Sequence, residues 1–545
     1  MFVENVQEEF YNIIKGKHVL LFVNYDVDAI CTCKMLQSLF RSDSTLYTSL
    51  TVEGVQDLIE GYCKHSEQVK FVLLINCGGT IDIVETLQPE EDVVFFVLDS
   101  HKPTDVCNVY SRSQVRIVGN VDESEKIPRF EDIFIDSETE DEDEEEDFDE
   151  EARAKRKQRK LWEENRNKTL FEYTQFSFYG RASALVMFEI VWRLGKDNIE
   201  SLWWALVGFT YQTVLGLVTE RNYSNELPVL QLHLTRLMPT SNNSSRMEGY
   251  RITCQKDLKL VLYRHWTVQS SLRHSISTAV KLKLWSQKGE KRLYQLLAEM
   301  GLPISDSKQN FTSMDSELKT GFLSMIESIV NNYDLDSLIY HSFILTIGFS
   351  NSYQAADYVY GMLALLDSTL SEKTSKECFL LTLDSLSRYK HNIIDKGINS
   401  SKKLLTSVMR QVHTLLDMKQ IFSAGPFLYF ILEEGSVDSK IFSCPSSLVI
   451  LARYALMAFN SISRNRRTAM LPLIASAPST NDNCIILGIP PSTEVIPRNF
   501  FGKAFDQAVE TIGINPVINY FDSSVIKICK EDRPKFFDSL VTILS

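Results

Sequence analysis

Short, nearly unbroken apolar runs alternate with amphipathic stretches through the first hundred residues. Lys17 to Asn24 (KHVLLFVN), Val69 to Asn76 (VKFVLLIN) and Val93 to Asp99 (VVFFVLD) each read as a strand buried on both sides. Ala29 to Phe40 reads as a helix that begins just after a pair of aspartates. Apolar strands of this kind alternating with helices predict an α/β fold, a parallel sheet covered on both faces. Every run ends in polar residues: Asp26 and Asp28, then Asn76-Cys77-Gly78-Gly79, then Asp99-Ser100-His101. In open α/β sheets, sites form at such carboxyl ends of strands.

Downstream the period changes. From Phe171 to about Val218 apolar positions return at helical spacing, through Trp203-Trp204-Ala205-Leu206-Val207-Gly208. Residues 225–365 read as largely helical, with Trp266 and Trp285 among apolar positions and a break at Gly301-Leu302-Pro303. After a Ser-rich gap near 366–377, one long amphipathic helix is predicted over 379–421. A strand over Gly425 to Leu432, a helix near 446–463, strands over Ala469–Ala475 and Cys484–Ile489, and two closing helices follow, which makes a second α/β domain. No fixed-period repeat is visible.

Charge changes the picture at one place. The formal net charge is −14, yet Glu131 to Glu151 alone carries fifteen Asp or Glu and no Lys or Arg, so the remainder is near −14 + 15 = +1. The acidity belongs to one segment and says nothing for or against nucleic acid elsewhere. The basic run Arg153-Ala154-Lys155-Arg156-Lys157-Gln158-Arg159-Lys160 follows at once. Blocks of like charge bury too little surface to offset ordering entropy, so residues 131–165 are expected to form a disordered insertion with a basic helix start. Ser137 and Thr139 are phosphorylation candidates, and the basic run is a candidate nuclear-import signal. No run approaches the ~20 apolar residues that span a bilayer, and MFVENVQEEF has no secretory pattern, so no membrane association is expected. The ten cysteines are dispersed; Cys31 and Cys33 form the only close pair and lack the second pair of a zinc site.

Two carboxylates at D-x-D spacing after a strand are a common way to hold divalent cations against a phosphate. Alone, Asp26-Val27-Asp28 equally suits a helix cap. The order of strand ends (D-x-D-A, then N-C-G-G, then D-S-H) resembles the DHH phosphoesterase superfamily, which includes the RecJ single-strand exonucleases. Within it, NYDVDAICTCKML, LLINCGGT, FVLDSHKPTDVCNVY, WWALVGFT, KLWSQKGEKRL, GPFLYF and RNFFGKAF are similar to one eukaryotic branch, the cell division control protein forty-five family. The strings are collinear from about residue 19 to 505.

The resemblance implies a RecJ/DHH-like parallel-sheet domain begun by residues 1–130 and completed by 166–224, a helical partner-binding insertion over 225–365, and a DHHA1-like α/β domain over 366–545. Active relatives place metal ligands on D-x-D, on an Asp ending the second strand, on the first His of D-H-H and on a later Asp. Here Asp26 and Asp28 remain, Asn76 and Ser100 replace the second and third positions, Asp99 and His101 survive, and Tyr211 stands where the last Asp belongs. Phe22 stands where phosphatase members carry a further His. With three of five ligand positions lost, the implied protein has no metal, no cofactor and no catalytic residue. It is expected to be a nuclear, non-catalytic subunit of the replicative helicase, working with the minichromosome maintenance ring, the GINS complex, replicative polymerases and loading factors. The absence of G-x-x-x-x-G-K-[ST] agrees with a motor supplied by a partner. Trp266 and Trp285 stand as candidate partner contacts or core residues. Two rival expectations are a metal-dependent single-strand 5′–3′ exonuclease of the RecJ type and a protein that contacts single-stranded DNA weakly through the old substrate cleft.

Overall fold

The structure, a computed structural model, describes residues 1–66, 69–121, 125–134, 150–238, 250–348, 351–371, 373–435, 438–463, 465–491 and 498–545. The three apolar runs are strands β1 (His18–Asn24), β3 (Phe71–Ile75) and β4 (Val94–Leu98), joined at one edge by β2 (Leu46–Val52) and at the other by Val115–Ile117. All neighbours run parallel, in the order β2-β1-β3-β4-Val115–Ile117. Period-two alternation divides β1 between two cores. Val19, Leu21 and Val23 pack with the helices Val27–Ser42, Ser183–Arg193 and Ile199–Leu215, whereas Leu20 and Phe22 face Leu58 and Ile83 on the other side. An order of 2-1-3-4-5 reverses direction between β1 and β3, and the crevice beyond their carboxyl ends is where such folds bind ligands.

The middle of the chain departs from its pattern reading. The expected boundary at 225 falls inside the helix Glu220–Leu237, and the segment expected to be helical holds an antiparallel sheet of Tyr250–Leu258, Ile339–Ile347 and Asn351–Gln354 beside several short helices. The nine-residue pairing of YRITCQKDL with IYHSFILTI explains the error: mixed polar and apolar strands over 80 residues apart resemble short helical segments when read singly.

The expected helix over 379–421 is two helices, Ser375–Ser385 and His391–Asp417. Tertiary donors occupy the carbonyls at the break: Lys34 Nζ donates to Leu383 O (3.1 Å) and Trp204 Nε1 to Leu386 O (3.0 Å). The basic run lies in the helix Glu150–Thr174, which continues past the expected end of the insertion at 165; the acidic residues 135–149, with Ser137 and Thr139, lie outside the described residues. Trp162 Nε1 ties this helix to Glu131 O (3.2 Å).

The C-terminal sheet has the order Phe422–Ser423, Leu428–Ile431, Leu473–Pro478, Asn483–Ile489, Val525–Cys529, Ile518–Asn519, and one pair in it, Leu428–Ile431 with Leu473–Pro478, is parallel. The expected strand at 469–475 begins later because Arg466–Ala469 forms a short helix. Among the described residues, no helix is long and apolar enough to cross a membrane.

Candidate functional site

The strand-end residues gather beyond β1, β3 and β4. Asp26 is the N-cap of the helix Val27–Ser42, its Oδ1 accepting from Ala29 N at 2.7 Å. Asn24 Nδ2 donates to its other oxygen at 2.9 Å. Asp28, in the first turn of that helix and 1% exposed, serves a different helix. Its two oxygens accept the backbone N–H groups of Ser183 and Ala184, each at 2.9 Å. These are otherwise orphan donors of Ser183–Arg193, whose N-cap residue Ala182 has no side-chain acceptor. A buried carboxylate thus holds the positive end of a distant helix.

Asn76 sits between the two aspartates with a left-handed φ of 52°, a conformation asparagine tolerates well. Its amide nitrogen lies 3.3 Å from both Asp26 oxygens and 3.2 Å from Asp28 Oδ2. Its oxygen accepts from Ser183 Oγ (2.5 Å), Ser100 N (3.2 Å) and Ser100 Oγ (3.4 Å). A neutral side chain therefore bridges two carboxylates on one side and two hydroxyls on the other.

Asp99 turns away from this cluster. It accepts from Gly79 N (2.8 Å) and His101 N (2.9 Å), and its Oδ1 lies 2.7 Å from His101 Nδ1. Tyr211, on Ile199–Leu215, is half-buried, and burial followed by the charges of Asp26 and Asp28 pushes its phenol well up. One turn earlier, a Cβ on Gly208 would fall 2.5 Å from Ala184 Cβ and 2.9 Å from Asp28 Oδ1, so only glycine lets this helix approach.

Burial and then the charge of Asp28 raise the Asp26 carboxyl, against the pull of Ala29 N–H, His101 and Asn76. Burial raises Asp28 too, opposed by the amides of Ala184, Asn76 and Ser183. Burial alone would lower His101, but Asp99, Asp522 and Asp26 carry it up to about 9.

The superfamily resemblance implies a pair of divalent cations, and the donor set does not fit one. Two-metal chemistry needs several anionic ligands around cations ~3.5–4 Å apart. Asp28 spends its oxygens on helix amides, Asn76 and Ser100 are neutral, and Tyr211 carries a phenol whose ionisation is suppressed. Among the described residues, the trio whose ligand atoms cluster closely enough for a metal is Asp82, Asp105 and Cys107, which includes none of the strand-end residues, and both aspartates there already cap helix starts.

Sequence reasoning located Asp26, Asp28, Asn76, Asp99, Ser100, His101 and Tyr211, and missed Ser183, Tyr179 and Asp522. The small pair Ser183-Ala184 at a helix start was the available signal for the first; nothing local marks the others. Trp285 lies in the core at 8% exposure, and Trp266 is half-buried with its ring stacked on His274 at 4.7 Å.

Fold and site together define an α/β protein with a five-stranded parallel sheet, whose strand-end site is built from neutral side chains and helix-capping carboxylates. The chain belongs to the CDC45 family, whose model matches residues 19–156 and 149–543. It is 38% identical to the cell division control protein 45 homolog of Homo sapiens across the whole of both chains. The homolog of Schizosaccharomyces pombe is 28% identical over 96% of each. The crystal structure of CDC45 from Entamoeba histolytica superposes over all of both chains with a TM-score of 0.74 at 22% identity.

Proposed function

We propose that this CDC45-type replication factor has no chemistry of its own and serves in the nucleus as a structural subunit of the replicative DNA helicase. In this reading it joins the minichromosome maintenance ring to the GINS complex and meets replicative polymerases and loading factors there. The observation that carries the non-catalytic part is Asn76: its amide stands between Asp26 and Asp28 where a cation would need anionic ligands. Family membership carries the replication part. A weak contact with single-stranded DNA is supported by the crevice between the N- and C-terminal lobes, about 980 Å³, whose lining includes Arg166, Arg221, Arg453 and Lys503.

The test has two arms on one preparation from nuclei. The ring ATPase and GINS are expected to co-elute with the protein, and the purified chain is expected to release no mononucleotides from single-stranded DNA with magnesium or manganese. Release that Asp26→Ala abolishes would replace this reading with the exonuclease one.

A further inference from the structure

Residues 177–179 lie between two lobes and bond to both. On the N-terminal side, Phe178–Tyr179 pairs antiparallel with His101–Lys102, directly after the Asp99-Ser100 strand end. On the C-terminal side, Ser177 and Asn499 exchange backbone hydrogen bonds, Ser177 N to Asn499 O at 2.8 Å and Asn499 N to Ser177 O at 2.7 Å. Tyr179 continues the connection through its side chain. Its ring rests on the His101 imidazole, centroids 5.0 Å apart, and its hydroxyl donates to Asp522 Oδ2 at 2.8 Å. Both ends of that chain are held in place. Asp99 fixes His101 at 2.7 Å, and Asp522 Oδ1 accepts from Ser524 N (2.9 Å) and Oγ (2.6 Å), which leaves Oδ2 free for Tyr179.

The packing beside the strap is tight. A Cβ on Gly502, in the first turn of Phe501–Ile512, would meet Ser523 Oγ at 2.2 Å and Ser177 Oγ at 3.4 Å. One face of the C-terminal sheet has an apolar cluster of its own, built around Phe427, Ile486, Phe501 and Phe536, while Phe521, beside Asp522, packs into the N-terminal cluster of Phe22, Val52 and Leu58, so the polar strap works next to an apolar anchor. His101, Tyr179, Asn499, Gly502 and Asp522 all line the interlobe crevice.

We propose that Asp99, His101, Tyr179 and Asp522 form an interlobe latch that holds the crevice at its present width. This gives the surviving pair Asp99–His101 a role that needs neither metal nor substrate: the pair is a positioning unit for Tyr179. A ligand that widens the crevice must first break the Tyr179–Asp522 bond and the Ser177–Asn499 bridge.

Hydrogen exchange on the full-length chain tests this, because Ser177 N–H and Asn499 N–H report the bridge itself. Tyr179→Phe removes one hydroxyl and keeps the ring. It is expected to speed exchange at both amides by about five- to tenfold, the worth of one hydrogen bond, while amides in β1 and β3 keep their wild-type rates. His101→Gln and Gly502→Ala are expected to act in the same direction at the same amides. Unchanged exchange at Ser177 and Asn499 in Tyr179→Phe would overturn the proposal. So would equal acceleration in β1, which would mean loss of the whole fold rather than release of a latch.

Discussion

Replacing Asn76 by aspartate tests the site with the smallest change of shape. Aspartate tolerates the φ of 52° as asparagine does, and its retained oxygen still accepts from Ser100 and Ser183. The amide that donated to Asp26 and Asp28 becomes a third carboxylate. Two unit charges 3.3 Å apart repel by about 5 kcal/mol at an effective dielectric of ~20. The protein escapes by retaining a proton, at about 1.4 kcal/mol per pH unit above an ordinary carboxyl value near 4. At pH 7 that route costs about 4 kcal/mol, the smaller of the two figures, so it sets the penalty. The new group has a folded pKa above its unfolded one. Its stabilising contribution is therefore present at acid pH and lost as pH rises, so the variant should approach the wild type near pH 5 and fall furthest below it at pH 8. At ~2–4 °C per kcal/mol for a domain of this size, melting drops by roughly 10 °C at pH 7. Thermal melts followed by the fluorescence of the buried Trp203 and Trp204, on the helix that packs against the site, measure it. A variant that melts with the wild type at pH 8, or a deficit that does not change between pH 5 and 8, refutes the reasoning.

Two further outcomes follow from the same bonds. Asp28→Ala strands the Ser183 and Ala184 amides, at a cost of about 2–4 kcal/mol, and should lower the melting temperature equally with and without added manganese; a wild-type melting point that climbs with micromolar manganese, lost in the variant, would contradict it. Burial holds Asp357 up at about 7 despite Arg264, while its Oδ2 and His265 Nε2 lie 3.9 Å apart without hydrogen-bond partners. Its contribution is present at acid pH and fades as pH rises through 7. Asp357→Asn keeps the acceptor for Leu262 N–H and should melt at or above the wild type at pH 8 and not at pH 5, whereas a constant offset across that range would refute the assignment.

What could be read from the chain depended on how each element is buried. β1, β3 and β4 are covered on both faces and stand out as unbroken apolar runs, but β2 (LYTSLTV) and Val115–Ile117 are edge strands with polar positions and give no such signal. The structure brings Asp26, Asn76 and Ser100 together at the strand ends, because a parallel sheet gathers successive carboxyl ends on one side. The partners that complete the site were out of reach. Ser183 bonds across 107 residues to Asn76, and Asp522 across 343 to Tyr179, and no local pattern encodes a separation of that size. Asparagine at 76 was legible as a lost ligand; that its amide bridges both carboxylates required the geometry.

Two of the three helices that pack on the Val19–Leu21–Val23 face of the sheet come late in the chain, and this bears on its birth at the ribosome. The last strand of the parallel sheet ends at Ile117, and Ile199–Leu215 ends 98 residues later (215 − 117). At about 5–20 residues per second, synthesis leaves that face incompletely covered for roughly 5–20 s. Until then that face is covered only by Val27–Ser42 and by the N-terminal turn whose Phe10 ring meets Phe96 at 5.1 Å, and the Asp28 carboxylate has neither the Ser183 nor the Ala184 amide to receive. A pause in the charged segment that precedes Ser183-Ala184 is therefore expected to lengthen the time for which the rest of this face stays exposed.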